Sequence, residues 1–451
     1  MLLSIAAHLL FRLLMSPSIS CKLLFLCFCF SLCILVGVAK DALETPESHF
    51  PDLAKIVKAL PTTSSEVLEH DLVLEEYRAK ARSVSSIKGT KVGIAVSGYS
   101  IYEDRPNADY DQRWKAFSRL NFSKPLYHWG ALEDDIEIAK IMSQNSSGEA
   151  SIFQRNAISR TRSSYLHLVA SSLRKKLAQE RLKLATKLFE SSKEKKRLGM
   201  IDEIVVQDLE NQLLSSQMEF REIEINLNYE LSSFVEFTGY TEPINLDASD
   251  QFFNFCLTHQ FSSSEPVLIQ SSTSAESEKL DNLIKIEELK IGIAEKSLLP
   301  KFNLSGAYFQ DQVDLADSSQ PLDRNNILVG LEANWEIWDS HKSKSDKDAA
   351  IARKKKLELA KQRLMRERGL ELKFLNNQLS LSRQKIVLSQ KQYAIAKRKL
   401  SKSLIEFEQN KISSLENFQS HLEADEARLE NLDSVCSYFI LLDKFDSMFH
   451  K

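Results

Sequence analysis

The chain has 451 residues, of which 43% are hydrophobic and 27% charged, so its composition supports a packed core and excludes a disordered protein. Only 12 glycines and 10 prolines interrupt it, which argues against a many-turned all-β fold or a glycine-rich nucleotide-binding fold and favours long helices. The formal net charge is −3, so no basic excess is available for nucleic-acid binding.

An uncharged apolar stretch near the N-terminus, residues 23–38, lies between Lys22 and Lys40. It is shorter than the roughly 20 residues of a transmembrane helix, and small residues at 37–39 suit a cleavage site. We therefore predict that residues 1–39 are a signal peptide and that the protein is exported; an uncleaved anchor is the alternative.

Six cysteines occur, but four of them lie in or beside this stretch. The other two, Cys256 and Cys436, are too few for a disulfide framework. We predict that both are buried free thiols.

The chain contains an internal repeat. Residues 121–240 align with residues 332–451 at a constant shift of 211 without a gap, so that Ala139 meets Ala350. A chance match between two helical stretches is the alternative. The predicted organisation is an N-terminal linker at 40–65, a first repeat at 66–240, a linker at 241–275 and a second repeat at 276–451.

Each repeat is predicted to contain a helix, two strands, a very long helix, a tight tip and a second long helix. The first repeat has helices at 66–86, 131–196 and 202–237 and strands at 91–102 and 112–124. The second has helices at 276–298, 341–408 and 413–447 and strands at 301–310 and 326–338.

The predicted strands alternate apolar and polar residues, and their length suits a tilted strand that crosses a membrane. Aromatic residues gather near the strand ends, as they do at the interfaces of outer-membrane barrels. A soluble sheet packed on the helices is the alternative. The residues that we predict to face lipid are Ile327, Val329, Leu331, Ala333 and Trp335.

The long helices carry a seven-residue pattern, which is typical of helices that supercoil around a neighbour. The apolar positions of the second repeat are Leu372, Leu379, Ile386, Tyr393, Leu400 and Phe407. Small residues accompany them at Ser382, Ser389, Ala396 and Ser403, and again 211 residues earlier at Ser171, Ala178, Ala185 and Ser192. We predict close helix packing along these small residues.

The two predicted tips show signals for a helix start. Ser413 and Glu416 have the spacing of a capping box, and Asp202, which follows Gly199, is a candidate N-cap. These residues alone indicate only that a helix restarts at each tip.

Several motifs resemble those of the TolC-like outer-membrane efflux family over residues 66–451. The segment 299–304, Leu-Pro-Lys-Phe-Asn-Leu, is similar to the "LP" strand opening of the family. Segments 335–341 and 125–130 resemble two eroded copies of its "W-P-L-F-D-G-G" motif. The sequence departs from the family pattern at 87–89, at Asn410 and at 340–341.

The resemblance implies a mainly α fold with a small membrane β part: duplicated long helical hairpins forming an α-barrel, and four strands per protomer in a homotrimeric 12-stranded β-barrel. It implies a passive outer-membrane channel of a tripartite efflux or type I secretion system, with its helices in the periplasm. The expected partners are a periplasmic adaptor protein, an inner-membrane transporter and outer-membrane lipid. The expected adaptor contacts at the tips are Gly199, Asp202, Asn410, Ser413 and Glu416.

Nothing in the sequence indicates an enzyme. The nine histidines are scattered, no metal-ligand spacing or phosphate loop occurs, and we expect no cofactor. The alternative function is that of an exported coiled-coil structural or adaptor protein of the cell envelope without channel activity.

Overall fold

The structure is a computed structural model that describes residues 45–103, 111–246, 250–259, 275–314 and 324–449. The predicted signal peptide lies outside these residues. The chain divides into two compact units, residues 1–54 and 55–451. The described part of the first unit contains a 3₁₀ turn, Pro46–Ser48, and the start of the first helix.

Eight helices and four strands make up the described chain. The first half contains α1 (Pro51–Thr63), α2 (Ser65–Ser85), β1 (Lys91–Glu103), β2 (Asp111–Tyr127), α3 (Ala131–Arg197) and α4 (Glu203–Thr238). The second contains α5 (Asp250–Thr258), α6 (Ala275–Lys296), β3 (Lys301–Asp314), β4 (Arg324–Asn334), α7 (Lys342–Glu408) and α8 (Ser414–Phe449).

The element bounds follow the internal repeat. The helices α3 and α7 both have 67 residues, and α4 and α8 both have 36. Each of α7 and α8 begins and ends 211 residues after its counterpart, which is the shift found in the sequence. At 1.5 Å per residue the longer pair extends about 100 Å.

Two segments predicted to be linkers contain helices. Residues 51–63 form α1, and residues 250–258 form α5. Both segments have apolar residues at helical spacing that bury one face of a short helix. Ile56 and Leu60 are buried in α1, and Phe252 and Cys256 are buried in α5. Such segments are too short for periodicity alone to identify them in a sequence.

The helices of residues 55–451 pack side by side in a fixed order. The helix α3 packs against α2 and α4 on one side and against α6 and α8 on the other, while α7 packs against α6 and α8. Ile138 and Ile141 of α3 bury against Ile286 of α6 in one apolar cluster. The outer helices of this layer are therefore α2 and α4 at one edge and α7 at the other.

The predicted track of small residues lies where the long helices meet. Ala178, Ala185 and Ser192 of α3 are buried, and so are Ser382, Ser389 and Ser403 of α7. Asn431 of α8 donates a hydrogen bond to the hydroxyl of Ser389 at 3.0 Å, which places the track of α7 against α8. Small side chains let the two helix backbones approach closely, and six of the eight predicted positions are buried in this way. The other two, Ser171 and Ala396, are half-buried.

The predicted free thiols are also observed. Cys256 of α5 and Cys436 of α8 are both free and buried. Burial raises the pKa of the Cys256 thiol to about 12, and it raises that of Cys436 as well. Both therefore remain protonated at neutral pH and behave as small apolar side chains.

A buried carboxylate joins α6 to α7 near the sheet. Glu287 of α6 has a side chain only 8% exposed, and it accepts hydrogen bonds from Lys290 at 2.7 Å and from Arg353 of α7 at 2.8 Å. Burial raises the pKa of Glu287, but the two cations outweigh it, so the pKa lies below its ordinary value of 4.5.

We predict that Glu287→Gln lowers the free energy of unfolding by about 2 kcal/mol at pH 7, because two charge-assisted hydrogen bonds are lost. Since the folded-state pKa is lowered, this contribution is present above pH 4.5 and disappears as the pH falls through the folded-state pKa. Denaturant unfolding of both proteins between pH 7 and pH 3 measures it. A difference that stays constant over this range would contradict the prediction.

Candidate functional site

The four strands form one antiparallel sheet in the order β1-β2-β3-β4. Residues that lie directly opposite each other on neighbouring strands share a face, so the register assigns each side chain to one of the two faces of the sheet. Ile94 lies opposite Leu120, Leu120 opposite Tyr308, and Tyr308 opposite Ile327. One row of large apolar residues therefore crosses all four strands on the same face.

This apolar face is exposed to a degree that is unusual for large hydrophobic side chains. Ile94 is 76% exposed, Leu331 is 76% exposed and Ile327 is 78% exposed. A continuous exposed apolar surface marks a partner or a membrane. The described members of the face are Val92, Ile94, Val96, Gly98, Ser100, Ser118, Leu120, Phe122, Lys124, Tyr127, Phe302, Leu304, Gly306, Tyr308, Ile327, Val329, Leu331 and Ala333. The charged member, Lys124, lies near the end of β2 that adjoins the helices.

The opposite face carries mainly small and polar side chains, together with the larger Tyr99, Phe309 and Leu328. Its described members are Lys91, Gly93, Ala95, Ser97, Tyr99, Arg119, Asn121, Ser123, Asn303, Ser305, Ala307, Phe309, Asn326, Leu328, Gly330, Glu332 and Asn334. The guanidinium of Arg119 lies over the ring of Phe309, 5.7 Å from its centre. A sheet with one apolar and one polar face suits a boundary between lipid and water.

Gly306 has a defined role on the apolar face. A Cβ at this position would lie 2.0 Å from the ring of Phe122 on the neighbouring strand. The Phe122 ring therefore covers the glycine and fills the gap that its missing side chain leaves. This contact keeps the apolar face continuous between β2 and β3.

Aromatic residues line the end of the sheet that adjoins the helices. Trp129 donates a hydrogen bond from Nε1 to the carbonyl of Pro300 at 2.8 Å, and Trp335 donates to Leu298 at 3.0 Å. Both indoles are exposed, and so are Tyr127 and Trp338. Their polar edges bind the turn before β3 and their rings remain available to an interface.

The position of Trp335 corrects one sequence prediction. The sequence predicts a strand that extends to residue 338 and includes Trp335 with the four other residues predicted to face lipid. In the structure β4 ends at Asn334. The hydrogen bond of its indole to Leu298 holds Trp335 in the connection to α7. The other four residues do share one face of β4, as the alternation predicted.

Each long helix begins after two consecutive residues with positive φ. These are Trp129 and Gly130 before α3, and Ser340 and His341 before α7, again 211 residues apart. Glycine tolerates this conformation, whereas Ser340 and His341 adopt it at a cost of about 1 kcal/mol each. The side chain of Asp339 offsets part of this cost by accepting a hydrogen bond from the Ser343 N–H at 2.7 Å.

The two tips have the same backbone geometry. At the first, Gly199 has φ +72°, and the N–H of Met200 donates to the carbonyl of Lys195 at 2.9 Å. At the second, Asn410 has φ +55°, and the N–H of Lys411 donates to Glu406 at 2.8 Å. Both are Schellman motifs, in which asparagine is the usual substitute for glycine. Asn410, which stands where the first tip has a glycine, therefore preserves the turn.

The helices that follow the tips are capped differently. The N–H of Glu416 donates to Ser413 Oγ at 3.2 Å, and the Ser413 N–H donates to the Glu416 carboxylate at 2.7 Å. The predicted capping box is thus confirmed, and these hydrogen bonds lower the pKa of Glu416. Asp202 occupies the N-cap position of α4, as predicted, but its side chain makes no capping hydrogen bond.

The first tip also exposes apolar side chains that are not among the predicted adaptor contacts. Leu198 is 58% exposed, Met200 69% and Ile204 70%. Their signal in the sequence is an apolar cluster at a turn, where solvent-exposed residues are usually polar. The structure places all five predicted tip residues at the two helix turns.

Other kinds of site find no support in the described ranges. No three His, Cys, Asp or Glu side chains in these ranges are grouped closely enough to hold a metal ion. No described helix combines the length and the apolar composition needed to cross a membrane.

Comparison with solved structures identifies the architecture. The Campylobacter jejuni CmeC outer membrane channel superposes with a TM-score of 0.71 at 14% identity, over 90% of this chain and 86% of that one. CusC, whose structures describe folding and transmembrane channel formation, gives 0.68 at 11% identity over 92% and 96%. The outer membrane protein VceC of Vibrio cholerae gives 0.66 at 13% identity over 89% and 97%.

The fold is TolC-like. The fold class expected from the sequence is confirmed, since long paired helices carry a small sheet in both this chain and those channels. No protein-family model matches the sequence, and no curated protein matches it significantly. At these identities the similarity establishes the TolC-like fold and leaves the function to be argued from the residues.

We predict that Ser413→Ala lowers the free energy of unfolding by about 1 kcal/mol, because the N–H of Glu416 loses its acceptor. Asp202→Ala is the matched control at the equivalent helix start, and its effect should stay below about 0.5 kcal/mol because no capping hydrogen bond is lost. Chemical denaturation followed by far-ultraviolet circular dichroism measures both. Equal effects of the two substitutions would contradict the assignment.

Proposed function

We propose that the protein is an outer-membrane channel that conducts substrates passively out of the periplasm. The observation that carries this proposal is the continuous apolar face of the sheet, on which Ile94, Ile327 and Leu331 are each about three-quarters exposed. A water-soluble protein gains no stability from such a face, whereas lipid solvates it.

The lengths of the elements support the same proposal. The four strands have 13, 17, 14 and 11 residues, and a tilted strand needs about 9–11 to cross a membrane. The exposed aromatic side chains at the helix end of the sheet suit the lipid–water interface on the periplasmic side. The helices α3 and α7 then extend about 100 Å from that interface into the periplasm.

One chain does not complete the channel. The strands β1 and β4 are at the two edges of the sheet, and lipid provides no hydrogen-bond partners for an open edge. We propose a homotrimer that joins three sheets into a 12-stranded barrel, as the TolC-like fold implies. The polar face, which includes Arg119, Asn121 and Asn303, then lines the water-filled interior.

We further propose that the tips contact a periplasmic adaptor protein, which links the channel to an inner-membrane transporter in an efflux or type I secretion system. The tips lie at the ends of α3 and α7 remote from the sheet, where they are the first parts to meet a partner from the inner membrane. Gly199 and Asn410 shape the two turns. Ser413 and Glu416 fix the second turn by their reciprocal hydrogen bonds. Asp202 is exposed beside the apolar residues of the first turn.

The alternative is an exported coiled-coil structural or adaptor protein without channel activity. The heptad spacing of α7 supports this coiled-coil alternative as much as it supports a channel. The apolar sheet face does not, because an adaptor in water would expose polar side chains on both faces of its sheet.

The test is the substitution Leu331→Arg in the full chain expressed in a Gram-negative host. A charge at this mid-strand position on the apolar face should destabilise the membrane-inserted form by about 2–4 kcal/mol and abolish recovery of a detergent-stable oligomer from the outer membrane. The control Glu332→Leu changes the neighbouring residue on the polar face and should leave that recovery largely intact. Normal assembly of Leu331→Arg together with failure of Glu332→Leu would overturn the proposal.

A further inference from the structure

The polar face of the sheet carries more positive than negative charge. Its described cations are Lys91, Arg119 and Lys301, which lies opposite Asn334, and its described anion is Glu332. All four charged side chains are exposed. The chain as a whole has a formal net charge of −3, so this positive excess is a local feature of the sheet.

Lys91 and Arg119 each lie in a row that contains no other charge, where a row is the set of directly opposite residues on the four strands. The neighbours of Lys91 in its row are small: Ser123, Ser305 and Gly330. The neighbours of Arg119 in its row are uncharged: Ala95, Phe309 and Asn326. In these two rows no acidic side chain therefore lies beside either cation.

The side chain of Arg119 is positioned by an aromatic ring. Phe309 lies directly opposite Arg119, and the guanidinium stands over its ring, 5.7 Å from the centre. A cation over a ring keeps its full charge, and the N–H groups at the edge of the guanidinium stay available to an anion. Arg119 is therefore held on the polar face without a counter-charge in its row.

Glu332 is too far away to offset these two charges within one chain. It accepts a hydrogen bond from Asn334 at 3.1 Å, near the end of the sheet that adjoins the helices, where Lys301 also lies. Three strand spacings, about 14 Å, separate Glu332 from Lys91, and its position along the strands differs from that of Arg119 by about 20 Å. Both distances exceed the screening length of about 8 Å at physiological salt.

Strand pairing between copies brings a second Glu332 nearer to Arg119 without cancelling the excess. The observed pair of Asn121 with Ala307 corresponds to Glu332 of β4 and Ser97 of β1, at the shifts that relate these strands in the two repeats. In a closed barrel Glu332 then lies about 12 Å from Arg119 of the next copy. The described residues of each copy still contribute three cations and one anion to the face.

We propose that the polar face favours anionic over cationic solutes, and that Arg119 and Lys91 set this preference. The inference rests on the proposed function, in which this face lines the water-filled interior, and it adds the charge class of the solute. Rings of arginine or lysine select anions in pores, because their field raises the local concentration of negative charge. In a homotrimer each of the two cations recurs three times around the interior.

The test measures this local preference with a cysteine at position 121, between the two cations. Asn121 is two positions from Arg119 on β2 and lies opposite Gly93, two positions from Lys91 on β1. In outer-membrane fragments that contain the full chain, the Asn121→Cys thiol is modified by an anionic and by a cationic methanethiosulfonate. The ratio of the anionic to the cationic rate, divided by the same ratio for a small thiol in solution, should exceed one.

Removal of either charge should lower this normalised ratio. At low salt Arg119→Gln should lower it about tenfold, because a charge roughly 7 Å away acts with opposite sign on the two reagents. Lys91→Gln should lower it about fivefold, because Lys91 is on the neighbouring strand. The matched control Arg119→Lys keeps the charge and should keep the ratio. Glu332→Gln should raise the ratio by less than about twofold, since Glu332 is beyond the screening length.

Two further features of the chain make the measurement specific. The native Cys256 and Cys436 are buried, so they do not compete for the reagents. Val329→Cys, on the apolar face, reports separately whether that face is in lipid. If Arg119→Gln does not assemble, the normalised ratio of Asn121→Cys alone and its change in Lys91→Gln decide the result.

The outcomes separate the two proposals. Protection of Val329→Cys together with reaction of Asn121→Cys supports the channel. If the normalised ratio is then one or less, or if neither Lys91→Gln nor Arg119→Gln lowers it, the anion inference is wrong and the channel proposal stands. If Val329→Cys reacts as readily as Asn121→Cys, or if Asn121→Cys reacts with neither reagent, both are wrong.

Discussion

An edge strand has a row of backbone N–H and C=O groups without partners, and in lipid no water is present to satisfy them. In this sheet both β1 and β4 are edge strands, and their apolar side chains share one exposed face. Burying that face in lipid would leave two unsatisfied edges in the same medium. Only further strands supply the missing hydrogen bonds in lipid, so the proposed insertion of this sheet into a membrane depends on strands that one sheet does not contain.

The internal duplication offers a simple way to meet this requirement. Because both repeats have the same element lengths, the contact between the first and second repeats inside one chain can recur between chains with little change in geometry. On α7 the heptad positions Leu379 and Ile386 are buried, whereas Leu381 and Leu388, on another face of the helix, are exposed.

Much of this architecture could be predicted from the sequence because its signals are long and periodic. The predicted bounds of the long helices agree within two residues, and the capping box at Ser413 was recognised from spacing alone. The apolar face as a whole could not be predicted, because it depends on the register between strands, which places Ile94 beside Leu120. The helices α1 and α5 were missed because a segment of 9 or 13 residues carries too few periods.

Inter-chain cross-linking of the edge strands tests the central claim most directly. Phe122 of β2 corresponds to Ala333 of β4 at the repeat shift of 211, and Gly306 of β3 corresponds to Val96 of β1 at the shift of 210 between the starts of those two strands. The observed pair of Phe122 with Gly306 therefore places Ala333 of β4 opposite Val96 of β1 in the next copy. Within one chain these strands are about 14 Å apart, too far for a disulfide. The double variant Val96→Cys with Ala333→Cys should give, on oxidation, a ladder of linked chains that ends at three, while the native protein, whose Cys256 and Cys436 are buried, should give none. A double variant that stays monomeric, or a ladder that continues past three chains, would contradict closure of the sheet by three copies.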